Sequence, residues 1–122
     1  MQLELSGKKY DIYMGIASLN YLDKVYTIKD QASGIEFGAG VEFLISSLNM
    51  GNMMAMVHFI KAGTETEKSK PSNKAIEDFI GSLSDEELEE LFSEAVEEIK
   101  KQPLTKHTVN KMEKRIKGEE KA

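Results

Sequence analysis

The hydrophobic positions of this 122-residue chain begin at a spacing of two and shift to a helical spacing after Gly15. In "LELSGKKYDIYM", Leu3 and Leu5 precede Ser6-Gly7-Lys8 and Tyr10, Ile12 and Met14 follow, which is the alternation of a β-hairpin about a tight turn. Ile16, Leu19, Leu22 and Tyr26 then recur every three or four residues, so the spacing predicts a short helix. "IKDQASG" carries turn formers through Gly34 and reads as a loop. Val41, Leu44, Ile45 and Leu48 form the stripe of a second helix, and Asn49, Gly51 and Asn52 mark the turn that ends it. A third helix is predicted over 52–62, with Gly63 in the position of a C-terminal cap.

Beyond the polar linker "TETEKSKPSN", Pro71 suits the first turn of a fourth helix, whose apolar face is Ala75, Ile76, Phe79, Ile80 and Leu83. Ser84 and Glu87 make a capping box for the fifth, where Leu88, Leu91, Phe92, Ala95, Val96 and Ile99 hold one stripe for three turns. Its eight acids from Asp85 to Glu98 precede Lys100 and Lys101, an order that complements the helix dipole and reads as a solvated face. After Pro103, "LTKHTVNKMEKRIKGEEKA" is amphipathic only through Val109, Met112 and Ile116. So few apolar groups hardly offset the cost of ordering the chain, leaving a marginal helix or a flexible segment. The pattern therefore predicts a mainly α domain with an N-terminal β-hairpin over 1–102, followed by a basic, flexible C-terminal segment over 103–122.

Composition narrows the partners. One domain is what this length accommodates, and a net charge of -5 disfavours a general affinity for nucleic acid. The absence of Cys rules out disulfides and thiolate metal ligands and suits a reducing compartment. The N-terminus has acidic Glu4 and no apolar run, unlike a secretory signal or transit peptide, so the product is expected to stay in the cytoplasm where it is made. Phe43 to Ile60 is uncharged and long enough to span a bilayer. Asn49, Gly51 and Asn52 at its centre nevertheless make a membrane span the poorer reading.

Catalytic chemistry finds little to stand on. The two histidines, His58 and His107, lie outside any nucleophile–base constellation, and the carboxylates sit in one helical run without an acid/base pair. "GIEFGAG" supplies Gly34, Gly38 and Gly40 but not the order of a phosphate loop; a tight turn or close helix approach explains these glycines better. No enzyme, cofactor or metal site is predicted.

"MGNMMAMVHFI" is the unusual stretch, with four methionines in seven positions. Thioethers bind copper(I), yet no other soft ligand accompanies them, and packing is the stronger explanation. On a wheel of about 100° per residue, Met53, Met56, Val57 and Ile60 share one side, flanked by Met54 and Phe59. That arc is wider than one core contact needs. Met53, Met54, Met56 and Phe59 are therefore the first candidates for binding another protein; among them Met53 and Met56 are expected to lie more inside, with Met54 and Phe59 as the stronger contact for a partner helix. Leu88, Leu91 and Phe92 are second candidates, for which simple core is the stronger reading.

The order of elements resembles the tail assembly chaperones of long-tailed phages and of prophages in Gram-positive hosts. The similarity rests on "LSGKKYDIYMGI", "LNYLDKVY", "GIEFGAGVEFLISSL", "IKAGT" at 60–64, "KPSNKAIEDFI" at 70–80 and the acidic helix ending in "EEIKKQ", and it covers roughly residues 1 to 102. The specificity lies in the series; no single motif is diagnostic. The resemblance implies a non-enzymatic assembly factor that binds and solubilises the tape measure protein and helps recruit the major tail protein, in the host cytoplasm. It also implies a longer form of the chain made by ribosomal frameshifting as a partner, and leaves a homo-oligomer open. Two other readings stand beside it: a small structural tail or connector protein, and a DNA-associated regulator using Lys100 to Lys117, where seven Lys and Arg face one Glu.

Overall fold

Residues 1–121 are described by a computed structural model, and the first element is the hairpin that the alternation predicts. β1 (Gln2–Leu5) and β2 (Lys8–Asp11) pair antiparallel, Leu3 opposite Tyr10 and Leu5 opposite Lys8. Ser6 and Gly7 both take positive φ, 51° and 80°, which matches the twist of a two-residue connection to that of the strands. The period of two then carries Leu3, Leu5, Tyr10, Ile12 and Met14 into the core.

α1 (Ile16–Val25) is secured at its start by a buried serine: the Gly15 N–H donates to Ser18 Oγ, whose hydroxyl donates to the Tyr13 carbonyl. Leu22 is buried as the spacing predicts, whereas Ile16, the first helical residue, stays exposed. The stretch read as a loop begins in strand, and a second strand follows it. β3 (Thr27–Lys29) and β4 (Glu36–Gly38) form a second antiparallel hairpin, with Ile28 opposite Phe37. Strands of three residues are too short to display a period, so the pattern could not show them. Their connection is a loop, in which Asp30 accepts from the Ala32 N–H and the Ser33 hydroxyl and Gly34 takes a φ of 74°.

The glycines of "FGAG" let α2 (Gly40–Asn49) lie close against α1. A Cβ at Gly38 would overlap Asp23, and one at Gly40 would come within 2.6 Å of the Leu22 backbone. The Gly40 N–H donates to Asp23 Oδ1 at 2.9 Å, fixing the junction. Val41, Leu44, Ile45 and Leu48 are buried together on α2. Gly51, at a φ of 71°, turns the chain into α3 (Met53–Gly63), whose cap is Asn52 accepting from the Ala55 N–H at 3.0 Å.

α3 packs against α1, α2 and α5. Gly63 is its last helical residue and not the left-handed cap expected from sequence; Thr64 closes the helix instead. What requires glycine at 63 is the approach of the hairpin, since a Cβ there would lie 2.6 Å from Ile12 Cγ2. Pro71 likewise stands before the cap of α4 (Asn73–Gly81) and not inside its first turn, because Ser72 takes the cap by accepting from the Ala75 N–H. α4 rests against β1. α5 (Asp85–Lys101) carries the predicted capping box, with the Glu87 N–H donating to Ser84 Oγ and the Ser84 N–H to Glu87 Oε1. The segment after Pro103 is helical as α6 (Lys106–Lys121) and lies along α2 and α5, burying Val109. The mainly α architecture with an N-terminal β-hairpin is thus the one the spacing predicts, with the second hairpin added.

Candidate functional site

Met53 and Met54 begin α3 just beyond the turn made by Gly51, and both remain open, at 48% and 54% exposure. Met56 and Phe59, a turn further on, are wholly buried. As to burial, Met56 inside and Met54 outside hold, whereas Met53 lies outside and Phe59 inside. Of the four binding candidates, Met53 and Met54 are accessible, while Met56 and Phe59 are corrected to core, having no accessible surface with which to touch another chain. Small residues decide the rotation. Ala55, Ala62 and Gly63 share the Phe59 side of the helix and let the neighbouring elements come close there, so that side faces inward. Their spacing on that side of the helix is visible in the sequence.

The open side of α3 forms one wall of a groove. Met53, Met54, Val57 and Lys61 face Asn73, Ile76, Glu77, Ile80 and Gly81 of α4 across a space of about 480 Å³. Ile76 is buried at its base, and Val57 and Ile80 are half-buried along it. Charge enters only through Lys61 and Glu77. Ile76 and Ile80 counted as plain core in the helical pattern, and the pattern gave no sign that α4 stands away from α3. Met50, 81% exposed at the end of α2, is not part of this groove and lines a separate cleft with Glu89, Phe92, Ser93 and Val96 of α5.

The second candidates belong to the interior. Leu91 and Phe92 are buried and Leu88 is half-buried against the same core. The acidic face of α5 is exposed at Glu86, Glu89, Glu90, Glu94 and Glu97, but Glu98 departs from it. It shares the i, i+7 position of Leu91 and is buried; Oε1 accepts from the Met1 ammonium at 3.0 Å and from Gln102 Nε2 at 2.8 Å, and Oε2 lies 3.0 Å from Lys101 Nζ. Burial alone would push its carboxyl up; Lys101, the terminal ammonium and Gln102 together hold it below the ordinary value.

His58 is half-buried between aromatic rings. Its Nδ1 lies 2.8 Å from the Tyr21 hydroxyl, and Tyr26 meets its ring edge-on at 5.7 Å. Burial, and then the Lys61 ammonium, lowers its pKa and favours the neutral ring, whose tautomer sets which partner donates in the bond with Tyr21; the Tyr21 pKa is raised by burial and by Glu65. This is a satisfied packing histidine. Among the described residues, no group of three or more His, Cys, Asp or Glu could hold a metal ion, and no helix is long and apolar enough to cross a membrane. Of the basic stretch from Lys100 to Lys117, Lys100 is engaged by Glu97 and Glu113, while Lys106, Lys111, Lys114, Arg115 and Lys117 lie exposed on α6.

An apolar groove on a helical body, charged only at its rim, is the geometry by which small helical proteins receive a segment of another chain. The sequence agrees with that class at the level of family. A family model described as phage tail assembly chaperone protein, TAC, matches residues 2–114, nearly the whole chain and well into α6, and the chain belongs to that family. Comparison with curated proteins and with solved structures gives no match.

Proposed function

We propose that this phage tail assembly chaperone acts without catalysis, binding the tape measure protein of the same phage in the host cytoplasm, keeping it soluble, and helping to recruit the major tail protein. The observation that supports this reading is the groove between α3 and α4. Met53 and Met54 are exposed there on a helix whose other side is fully buried, so they lie outside the core that α3 builds. Unbranched thioethers adapt to varied apolar side chains, which suits a groove that must accept successive segments of one long helical client. The negative net charge opposes aggregation of the coated client. A longer, frameshifted form of the chain belongs to the same reading as a further partner.

Co-expression tests it. The tape measure protein should be soluble with the wild-type chain and precipitate with a Met53→Asp, Met54→Asp double variant whose melting temperature stays near wild type. Equal solubility without this chain would sink the proposal, and recovery of the chain from purified virions would favour a structural tail component instead.

A further inference from the structure

Of the residues that line the open groove between α3 and α4, only Lys61, Asn73 and Glu77 carry polar side chains; the remainder are apolar or glycine. Both walls are helices whose backbone groups are bonded internally, so neither offers a row of N–H and C=O groups to an incoming strand. An extended chain laid here would leave its own backbone unpaired, whereas a helix arrives with its backbone satisfied. From Met53 to Lys61 the α3 wall runs about 12 Å at the helical rise per residue. Residues i, i+4 and i+7 of a helix span about 10.5 Å, so one apolar stripe of that spacing matches the groove in length.

The two charges stand on opposite walls, Lys61 on α3 and Glu77 on α4. Among the described residues neither forms an ion pair, although Lys74 is paired with Asp78 at 2.9 Å and Lys70 with Glu65 at 2.6 Å close by. Neighbouring charges are thus matched within the chain, and these two are not. A partner with one sign of charge on both its edges would meet one attraction and one repulsion here. A partner with an acid on one edge and a base on the other meets two attractions.

Resting on the reading that this groove receives the client, we propose that its occupant is an amphipathic helix of another chain with large aliphatic residues at i, i+4 and i+7. It carries a carboxylate on the edge facing α3, to meet Lys61, and a Lys or Arg on the edge facing α4, to meet Glu77. The charges also fix the direction in which that helix lies, because turning it end for end exchanges its edges and sets like charges together.

Synthetic helical peptides with one leucine stripe test this against the full chain, by fluorescence anisotropy at physiological ionic strength, where distant charges are screened. One version carries Glu on one edge and Lys on the other, a second Lys on both, a third Glu on both. The mixed peptide should bind about fivefold more tightly than either uniform one. In Glu77→Lys the Glu-edged peptide should become the tightest, and in Lys61→Glu the Lys-edged one; Glu77 is exposed and Lys61 half-buried, so both variants keep the core. No peptide bound, or an order of preference unchanged in both variants, overturns the proposal. So does mixed-peptide binding that survives in the Met53→Asp, Met54→Asp double variant, which puts the peptide elsewhere, and so does a chain that dimerises through these methionines. Solubility of the client is a separate readout: if it holds while the peptide preference fails, this inference falls and the groove reading stands.

Discussion

The hydroxyl of Tyr21 lies 2.8 Å from Nδ1 of His58, joining α1 to α3 across 37 residues of sequence. A neutral imidazole suits this contact, and the folded pKa of His58 lies below its ordinary 6.5 through burial and the Lys61 charge. A depressed pKa means that the folded state binds fewer protons than the unfolded one. The contribution of His58 to stability is thus complete above about 6.5 and lost as pH falls through the folded value. Lys61→Met should move the His58 titration upward, followed by its ring proton shifts in NMR, while Tyr21→Phe should cost about 1 kcal/mol in denaturant unfolding. An unmoved titration in Lys61→Met would contradict the stated cause.

Phe59 and Met54 separate core from surface on one helix. Phe59→Ala should cost about 3–5 kcal/mol, since the ring is wholly buried. Met54→Ala should change stability by less than about 0.5 kcal/mol, because the side chain is more than half exposed. Urea unfolding of the two variants measures both. If the larger loss came from Met54, the inward side of α3 would be assigned wrongly.

Two glycines at helix ends should respond in opposite directions. Gly63→Ala drives a methyl group into Ile12 and is expected to destabilise by about 1–3 kcal/mol. Gly81→Ala meets nothing within 4 Å and should be neutral or stabilising by up to about 1 kcal/mol, through helix propensity. Melting temperatures of the pair check the claim that hairpin and α3 touch through Gly63.

Glu98→Gln should cost roughly 3 kcal/mol, because the Met1 ammonium then loses its counterion in a buried setting. The wild-type carboxyl titrates below its ordinary 4.5, so its contribution is present above about that pH and disappears as pH falls through the folded value. Melting curves of the two proteins should therefore converge in acid. A constant difference from pH 7 to pH 3 would show that charge is not what Glu98 supplies.

The local elements follow from residues close in sequence. Ser6-Gly7 between alternating apolar residues makes the first hairpin, Ser84 and Glu87 cap α5 through their own side chains, and the i, i+3, i+4 stripes of α2 and α5 choose their buried faces. β3 and β4 escaped because three residues carry no period. Glu98 was read as solvated because a stripe shows which face is buried, whereas the Met1 ammonium that neutralises it comes from 97 residues away.

What the sequence by itself determined is therefore the mainly helical class, the first hairpin, the capping box of α5 and the family, since each rests on short-range chemistry or on the order of motifs. Only the tertiary structure decided which methionines are open. The wheel shows an apolar arc too wide for one contact but not its rotation, and Ala55, Ala62 and Gly63 turn α3 so that Phe59 goes in and Met53 stays out. The groove itself depends on where α4 comes to rest, against β1 and away from the open side of α3. That placement is set by packing between residues some seventy positions apart, which no local pattern records.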